Sequence, residues 1–347
     1  MRCYNITFII KCKTLKSRRT ILRKLLLNST ALATALAITS NAAIADISIS
    51  ADSSWTYLSR SSQVTANDGT SFGTDSEIKF SFTNQTDSGL IIGYDVEMFS
   101  DGADSAIDES SMSISGGFGK VVLGENDSVA DDYAISADDL AGESEAPTVA
   151  SASIGTSTDI ELSDGDSNKV SYHLPAMGGF TGGASFTDSG TNTGTDTTSF
   201  GFNYEVEAGG NTLTLGASTS TTEATTTDTD AQIIGLKVKS GNLTIVASQT
   251  AYEAVDEDIE TTGAGVSYEM ANGMVLAAYT MKSEDDLDAG EEYTKSGVEL
   301  QYNIANGLTA FINVDDYQYK AATSPDTDGT SVVDSGTASK LTIAASF

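Results

Sequence analysis

The chain has 347 residues with 18 Lys+Arg against 49 Asp+Glu, a formal net charge of -31. That balance excludes nucleic acid and anionic headgroups as main partners, since both are held by a basic surface. The only cysteines are Cys3 and Cys12, so whatever holds the rest of the chain together is not a disulfide.

Residues 1–45 carry eight of the 18 basic residues and no acidic one. Arg23 and Lys24 precede an apolar run from Leu25 to Ile38, and Ala43, Ile44 and Ala45 form the small-x-small pattern of a cleavage site. We read 1–45 as an export presequence that is removed, and 46–347 as one domain beginning at Asp46, because nothing resembling a linker divides it. Ten basic residues then face all 49 acidic ones.

Glycine turns recur along this domain at Gly89, Gly119, Gly179, Gly209, Gly241, Gly273 and Gly307, with spacings of 30, 60, 30, 32, 32 and 34 residues. Such regularity marks one repeated unit, a tight turn flanked by two strands. After the first turn Leu90, Ile92, Tyr94, Val96 and Met98 share a face opposite Gly93, Asp95 and Glu97. Ala264, Val266, Tyr268 and Met270 oppose Gly265, Ser267 and Glu269, and Leu341, Ile343, Ala345 and Phe347 oppose Lys340, Thr342 and Ser346. Every strand thus has one apolar face and one polar, charge-bearing face.

In chain order the pattern predicts strands at 46–57, 76–85, 90–99, 110–116, 120–126, 168–174, 180–187, 198–207, 211–220, 230–239, 243–251, 261–270, 274–282, 292–303, 308–318 and 337–347. Tight turns join them at one end and long Asp/Thr/Ser stretches at the other, an up-and-down meander. A soluble sandwich and a membrane barrel both satisfy this pattern. Lipid is favoured by strands of about ten residues, the length a tilted transmembrane strand needs. It is favoured also by bulky residues near strand ends, Trp55, Tyr57, Phe180, Phe200, Tyr268, Tyr293 and Tyr302, which read as interfacial girdles. An even, closed set of sixteen leaves no unpaired edge and encloses a lumen wide enough for water.

The stretches SEIKFSFTNQTDSGLIIGYDVEM (76–98) and SSMSISGGFGKVVLGENDSVADDY (110–133) resemble the same region of Gram-negative general porins of the alphaproteobacterial type. The resemblance covers about sixty residues; beyond 133 only the hairpin period continues. It implies an all-β, 16-stranded antiparallel transmembrane barrel, homotrimeric in the outer membrane, with a third long loop folded inward to narrow the pore. The doubled spacing after Gly119 places that loop at 127–166. An alternative is a ninth hairpin, for which Ala152, Ile154, Ile160 and Leu162 share a parity. Against it stand Pro147 and the absence of a Gly/Asn turn, while Tyr133, Ala137 and Leu140 fall at helical spacing.

An inward loop brings Asp131, Asp132, Asp138, Asp139, Glu143 and Glu145 into the pore constriction. Lys79, Lys120, Lys169, Lys237 and Lys239, with Lys295 and Lys340, lie on the polar parity of their strands and so on the pore wall. Acids facing bases set a transverse field that favours small polar solutes. The plainer account is that lysine occupies the only face where charge is tolerated, a lipid-facing lysine costing about 2–4 kcal/mol near the midplane. Porins of the resembled type usually carry an arginine cluster on this wall, whereas the domain here has Arg60 alone, which points to a weak preference for cations.

Other motifs carry less chemistry. GGFGK (116–120) lacks the length and the following Ser/Thr of a phosphate loop, and His173, the single histidine, assembles neither a metal site nor a catalytic triad. No cofactor is expected. SDGDSN (163–168) and DTDG (326–329) are fragments of calcium-loop chemistry, so loop-bound calcium is an expectation set against simple solvation of acidic loops. The expected partners are a second and third copy of the chain, outer-membrane lipid and lipopolysaccharide, and small hydrophilic solutes and ions. The expected function is passive diffusion without enzymatic activity; the alternative is a secreted acidic β-rich surface-layer or adhesin protein.

Overall fold

The computed structural model describes residues 45–62, 68–100, 107–140, 165, 167–188, 190, 195–224, 228–255, 257–287, 291–320 and 333–347. The presequence up to residue 44 lies outside them. The described residues form sixteen strands: β1 (Ala45–Ser62), β2 (Gly69–Gln85), β3 (Ile91–Phe99), β4 (Glu109–Gly116), β5 (Gly119–Glu125), β6 (Asn168–His173), β7 (Phe180–Thr187), β8 (Asp196–Ala208), β9 (Asn211–Glu223), β10 (Thr229–Ser240), β11 (Leu243–Ala254), β12 (Glu257–Glu269), β13 (Met274–Asp285), β14 (Glu292–Ala305), β15 (Leu308–Lys320) and β16 (Val333–Ser346). Each pairs antiparallel with its neighbours in sequence, and β1 closes the barrel on β16.

Closure follows from the turns. At the β12–β13 turn Gly273 takes φ 80, its N–H donates to the Met270 carbonyl at 2.9 Å, and Asn272 Oδ1 accepts from the Met274 N–H at 3.2 Å. A side chain at Gly273 would be strained in that left-handed conformation. The doubled spacing after Gly119 inserts no further strand pair into the barrel. β5 pairs directly with β6, Lys120 opposite His173 and Gly124 opposite Lys169, so the intervening insert leaves the sheet.

Outside β3 to β7, most strands run past their predicted ends on the long-loop side. β1 reaches Ser62 and β2 begins at Gly69, where Ser, Thr and Gly leave no hydropathy alternation to read. The backbone ladder continues there regardless of side chain, helped by hydroxyl pairs such as Thr197–Thr222 at 3.0 Å. The wall is lowest at β3 to β7, whose strands have 9, 8, 7, 6 and 8 residues.

Register keeps each face consistent around the barrel. Leu215, Leu236, Ala247 and Ala264 are successive cross-strand partners on the outer face; Thr214, Lys237, Val246 and Gly265 are successive partners on the inner. Outward side chains diverge on a convex surface and remain exposed, among them Leu213, Leu236, Ile245, Val266, Leu276 and Val298. Inward ones converge, and many are buried.

The inner face departs from the uniformly polar surface that alternation predicts. Ala231, Ile233, Val246, Ala277, Tyr279 and Met281 all point inward and are buried. Tyr293 is likewise on the inner face, not in an interfacial girdle; it stacks on Tyr317 at 6.4 Å in a buried cluster with Ile259 and Tyr319. Its position at a strand end is what a girdle residue has, but its parity is inward. Trp55 and Tyr57 do face outward, packed on Phe72 at 5.5 and 5.3 Å.

The two faces make opposite demands on one residue step. Leu236→Lys places an ammonium on the apolar surface and is expected to destabilise the barrel by about 2–4 kcal/mol. Lys237→Leu, one position away and inward, should change stability far less; urea unfolding from lipid vesicles compares them.

Candidate functional site

The insert after β5 begins by turning across the inner wall. Ser128 caps a short helix α1 (Val129–Asp132), its hydroxyl accepting the Asp131 N–H at 3.3 Å. A 3-10 turn follows at Asp138–Leu140. The helical turn thus lies at Val129–Asp132, before the Tyr133–Ala137–Leu140 spacing that predicted it, because Ser128 supplies the cap and Tyr133 ends it; only Leu140 of those three falls in a helical turn.

Alternation along the insert decides what it buries. Val129, Ala130 and Ala137 are completely buried and Ile135 nearly so. Ala130 packs with Ala231 and Ile233 of β10, while Ile135 and Ala137 pack with Val246 of β11. Two backbone bonds pin this stretch: the Val129 N–H donates to Ser185 Oγ on β7 and the Ala137 N–H to Ser248 Oγ on β11, each at 3.1 Å. The inward apolar patch is therefore the seat of the insert. Both parts are apolar because they are removed from water together.

The predicted constriction acids meet different fates. Asp131 and Asp132 lie in α1, and Asp132 Oδ2 is 3.9 Å from His173 Nε2. The Tyr133 hydroxyl sits 3.3 Å from His173 Nδ1. Burial, with the Asp132 carboxylate beside it, pushes the Tyr133 phenol up, so it stays neutral. Asp139 is exposed and accepts the Ser136 N–H at 3.1 Å through Oδ2. Asp138 belongs to the 3-10 turn, its side chain lying outside the described residues, as do Glu143 and Glu145 and the stretch around Pro147.

The predicted wall lysines are all on the inner parity but are not one group. Lys169 is buried at the root of the insert and donates to the Asn126 carbonyl and, at 2.6 Å, to the Gly165 carbonyl. Lys79 donates to Glu97 on the neighbouring strand. Lys295 lies buried with its ammonium 5.5 Å from the centre of the Tyr279 ring, and Lys340 is buried too. Lys120, Lys237 and Lys239 are exposed. Lys237 and Lys239 stand on β10, a strand that carries the insert, whereas Lys79, Lys295 and Lys340 stand on the half of the wall formed by β14–β16 and β1–β5.

That second half carries carboxylates that sequence reasoning did not single out. Asp52, Glu97, Glu109, Glu299, Asp315 and Asp334 are all inward. Asp315 accepts the Tyr279 hydroxyl at 2.7 Å, the ring passing over Gly297, and Asp334 accepts the Ser62 hydroxyl at 2.7 Å. Strand parity was the available signal: each acid lies an even number of residues from an inward lysine or glycine of its own strand or from an inward cross-strand partner. Among the described residues no group of three or more His, Cys, Asp or Glu is placed to hold a metal ion. Residues 326–329 and most of 163–168, where calcium was expected, lie outside the described residues.

Comparison with known proteins agrees with this geometry. The family model described as Gram-negative porin matches residues 30–322. No curated individual protein matches. Among solved structures, an anion-selective porin from Comamonas acidovorans superposes with a TM-score of 0.62 at 16% identity, covering 88% of this chain and 100% of that one. OmpT, an outer membrane protein of Vibrio cholerae, gives 0.67 at 14% identity, covering 90% and 100%. A variant of the Rh. blastica porin gives 0.60 at 15% identity, covering 87% and 100%.

Because Lys169 bridges both roots of the insert, Lys169→Met leaves the buried Gly165 carbonyl and the half-buried Asn126 carbonyl without their charged donor. Bonds to charged groups contribute about 1.5–3 kcal/mol each, so a loss near 3 kcal/mol is expected. Urea unfolding should show it, accompanied by new chymotryptic cleavage at Tyr133.

Proposed function

Because the chain belongs to the Gram-negative porins, a family of non-enzymatic outer-membrane channels, we propose that it is a diffusion pore for small hydrophilic solutes, weakly selective for cations and narrowed by the insert 127–166. The observation that carries the selectivity is the division of the inner wall into two halves. One half is occupied by the insert; the other carries the inward carboxylates Asp52, Glu97, Glu109 and Asp315, packed close to the wall. Of the lysines of that half, Lys79 is held against Glu97 and Lys295 against Tyr279, and Lys120 on β5 stays exposed. With Asp131, Asp132 and Asp139 on the insert, carboxylates then stand on both sides of the passage. A cation crossing it is stabilised throughout, while an anion meets a repulsive field focused by the low-dielectric walls.

The same reading places three copies around an axis on the low wall. The strands there are short, and their outer face carries Ile92, Tyr94, Met112 and Tyr172, all exposed in the single chain. A Vibrio cholerae relative of the same fold is described as a trimer. Removal of residues 1–45 on export, with Asp46 first, completes the proposal; β1 begins at Ala45, so cleavage there takes a single residue from the first strand.

Planar-bilayer recordings test the reading. The purified chain should conduct in triplet steps, and under a salt gradient its reversal potential should have the sign of a cation-preferring pore. Asp139→Asn should move that potential toward zero. No conductance would sink the channel assignment, and an anion-selective reversal potential would sink the charge argument alone.

A further inference from the structure

Where the insert comes closest to the wall, the wall has no side chains. A Cβ added at Gly201 would lie 2.8 Å from the Val129 carbonyl oxygen and 2.9 Å from Tyr133 Cβ. At Gly216 it would stand 2.8 Å from Ile135 Cδ1, at Gly263 2.9 Å from Ala137 Cβ, and at Gly265 2.7 Å from the Ala137 carbonyl oxygen. At Gly235 it would run into the Ile135 carbonyl oxygen, and at Gly183 it would meet Val129 Cγ1 at 3.2 Å. Ordinary carbon contacts need about 3.5–4.0 Å, so most of these positions admit nothing larger than hydrogen.

Conformation is not the reason for these glycines. None of the six is among the positive-φ glycines of the described residues, and a glycine in a strand interior weakens it. Register shows that they form a row across five neighbouring interfaces rather than a scatter. Gly183 is the partner of Gly201 and Gly216 of Gly235, while Ser248 stands between Gly235 and Gly263. Ser185 and Ser248, the two hydroxyls that accept backbone N–H groups of the insert, flank this row on β7 and occupy it on β11. The serines fix the height at which the insert crosses; the glycines fix how deeply it lies.

We propose that these six glycines set the bore of the channel, acting as positioning residues that hold the insert flat against β7–β12. This rests on the reading of the chain as a pore narrowed by its insert. A pore of fixed barrel size loses cross-section by whatever distance the insert stands off the wall, so one added side chain in the row narrows the passage without touching a charged group.

The test uses the whole barrel with spin labels at Asp139→Cys on the insert and Lys79→Cys across the lumen, the domain having no cysteine of its own. Gly235→Val should shorten the label-to-label distance and lower the unitary conductance. Ala264→Leu, an equal enlargement on the outward face beside the row, should change neither. Gly263→Ala, a milder intrusion against Ala137 Cβ, gives the same comparison if Gly235→Val does not fold. An unchanged distance in either folded variant overturns the proposal. A shortened distance in a chain that never conducts upholds the positioning role and removes the channel reading instead, so the two fail separately.

Discussion

Everything in this molecule depends on closing the sheet. In an apolar medium an unpaired backbone N–H or carbonyl costs several kcal/mol, and a barrel whose first and last strands pair has no edge to leave unpaired. The contact between β1 and β16 runs in register from Asp52–Ser346 to Ser62–Gly336, and Ala51 and Phe347 exchange both backbone bonds at its end, at 3.3 and 2.8 Å. A chain without disulfides in its folded domain is held by that continuous ladder. Because the ladder uses only backbone groups, side chains are released to serve two different environments at alternate positions.

That release explains why most of the fold was legible in the sequence. Alternation in stretches such as Leu90 to Met98 and Leu341 to Phe347 fixed the faces, and the glycine period fixed the number of strands. What stayed hidden has two physical causes. Strand ends built of Ser, Thr and Gly, such as Gly69 to Asp75, carry no hydropathy contrast although their backbones pair fully with β1. Tyr293 looks like a girdle residue by its place near a strand end, yet parity turns it toward Tyr317 inside.

The candidate site was legible in its location but not in its partnerships. The doubled turn spacing identified the insert, and Lys120 opposite His173 confirms that it leaves the sheet between β5 and β6. Parity also placed every wall lysine inward. It could not distinguish Lys237, which stays exposed, from Lys169, which is consumed at the root of the insert, or from Lys79, which is drawn to Glu97. Such distinctions depend on which neighbours reach a given side chain across strands far apart in sequence, and those neighbours follow from register rather than local pattern.

The inner wall then resolves into two surfaces that obey different rules. Under the insert it behaves like a small protein core: Val129, Ile135 and Ala137 meet Val246, Ala231 and the glycine row, and charge is excluded because the contact is dry. Opposite, a tyrosine cluster of Tyr293, Tyr317 and Tyr319 shares the wall with inward carboxylates such as Asp52 and Asp315 and with the inward lysines Lys79 and Lys340. A uniformly polar lumen would give the insert nothing to bind, and it would be free to sample the passage. A uniformly apolar one would dewet and close the passage to ions. Dividing the circumference lets one continuous sheet anchor an obstruction on one side and keep a hydrated, charged path on the other, with strand parity as the only instruction needed for both.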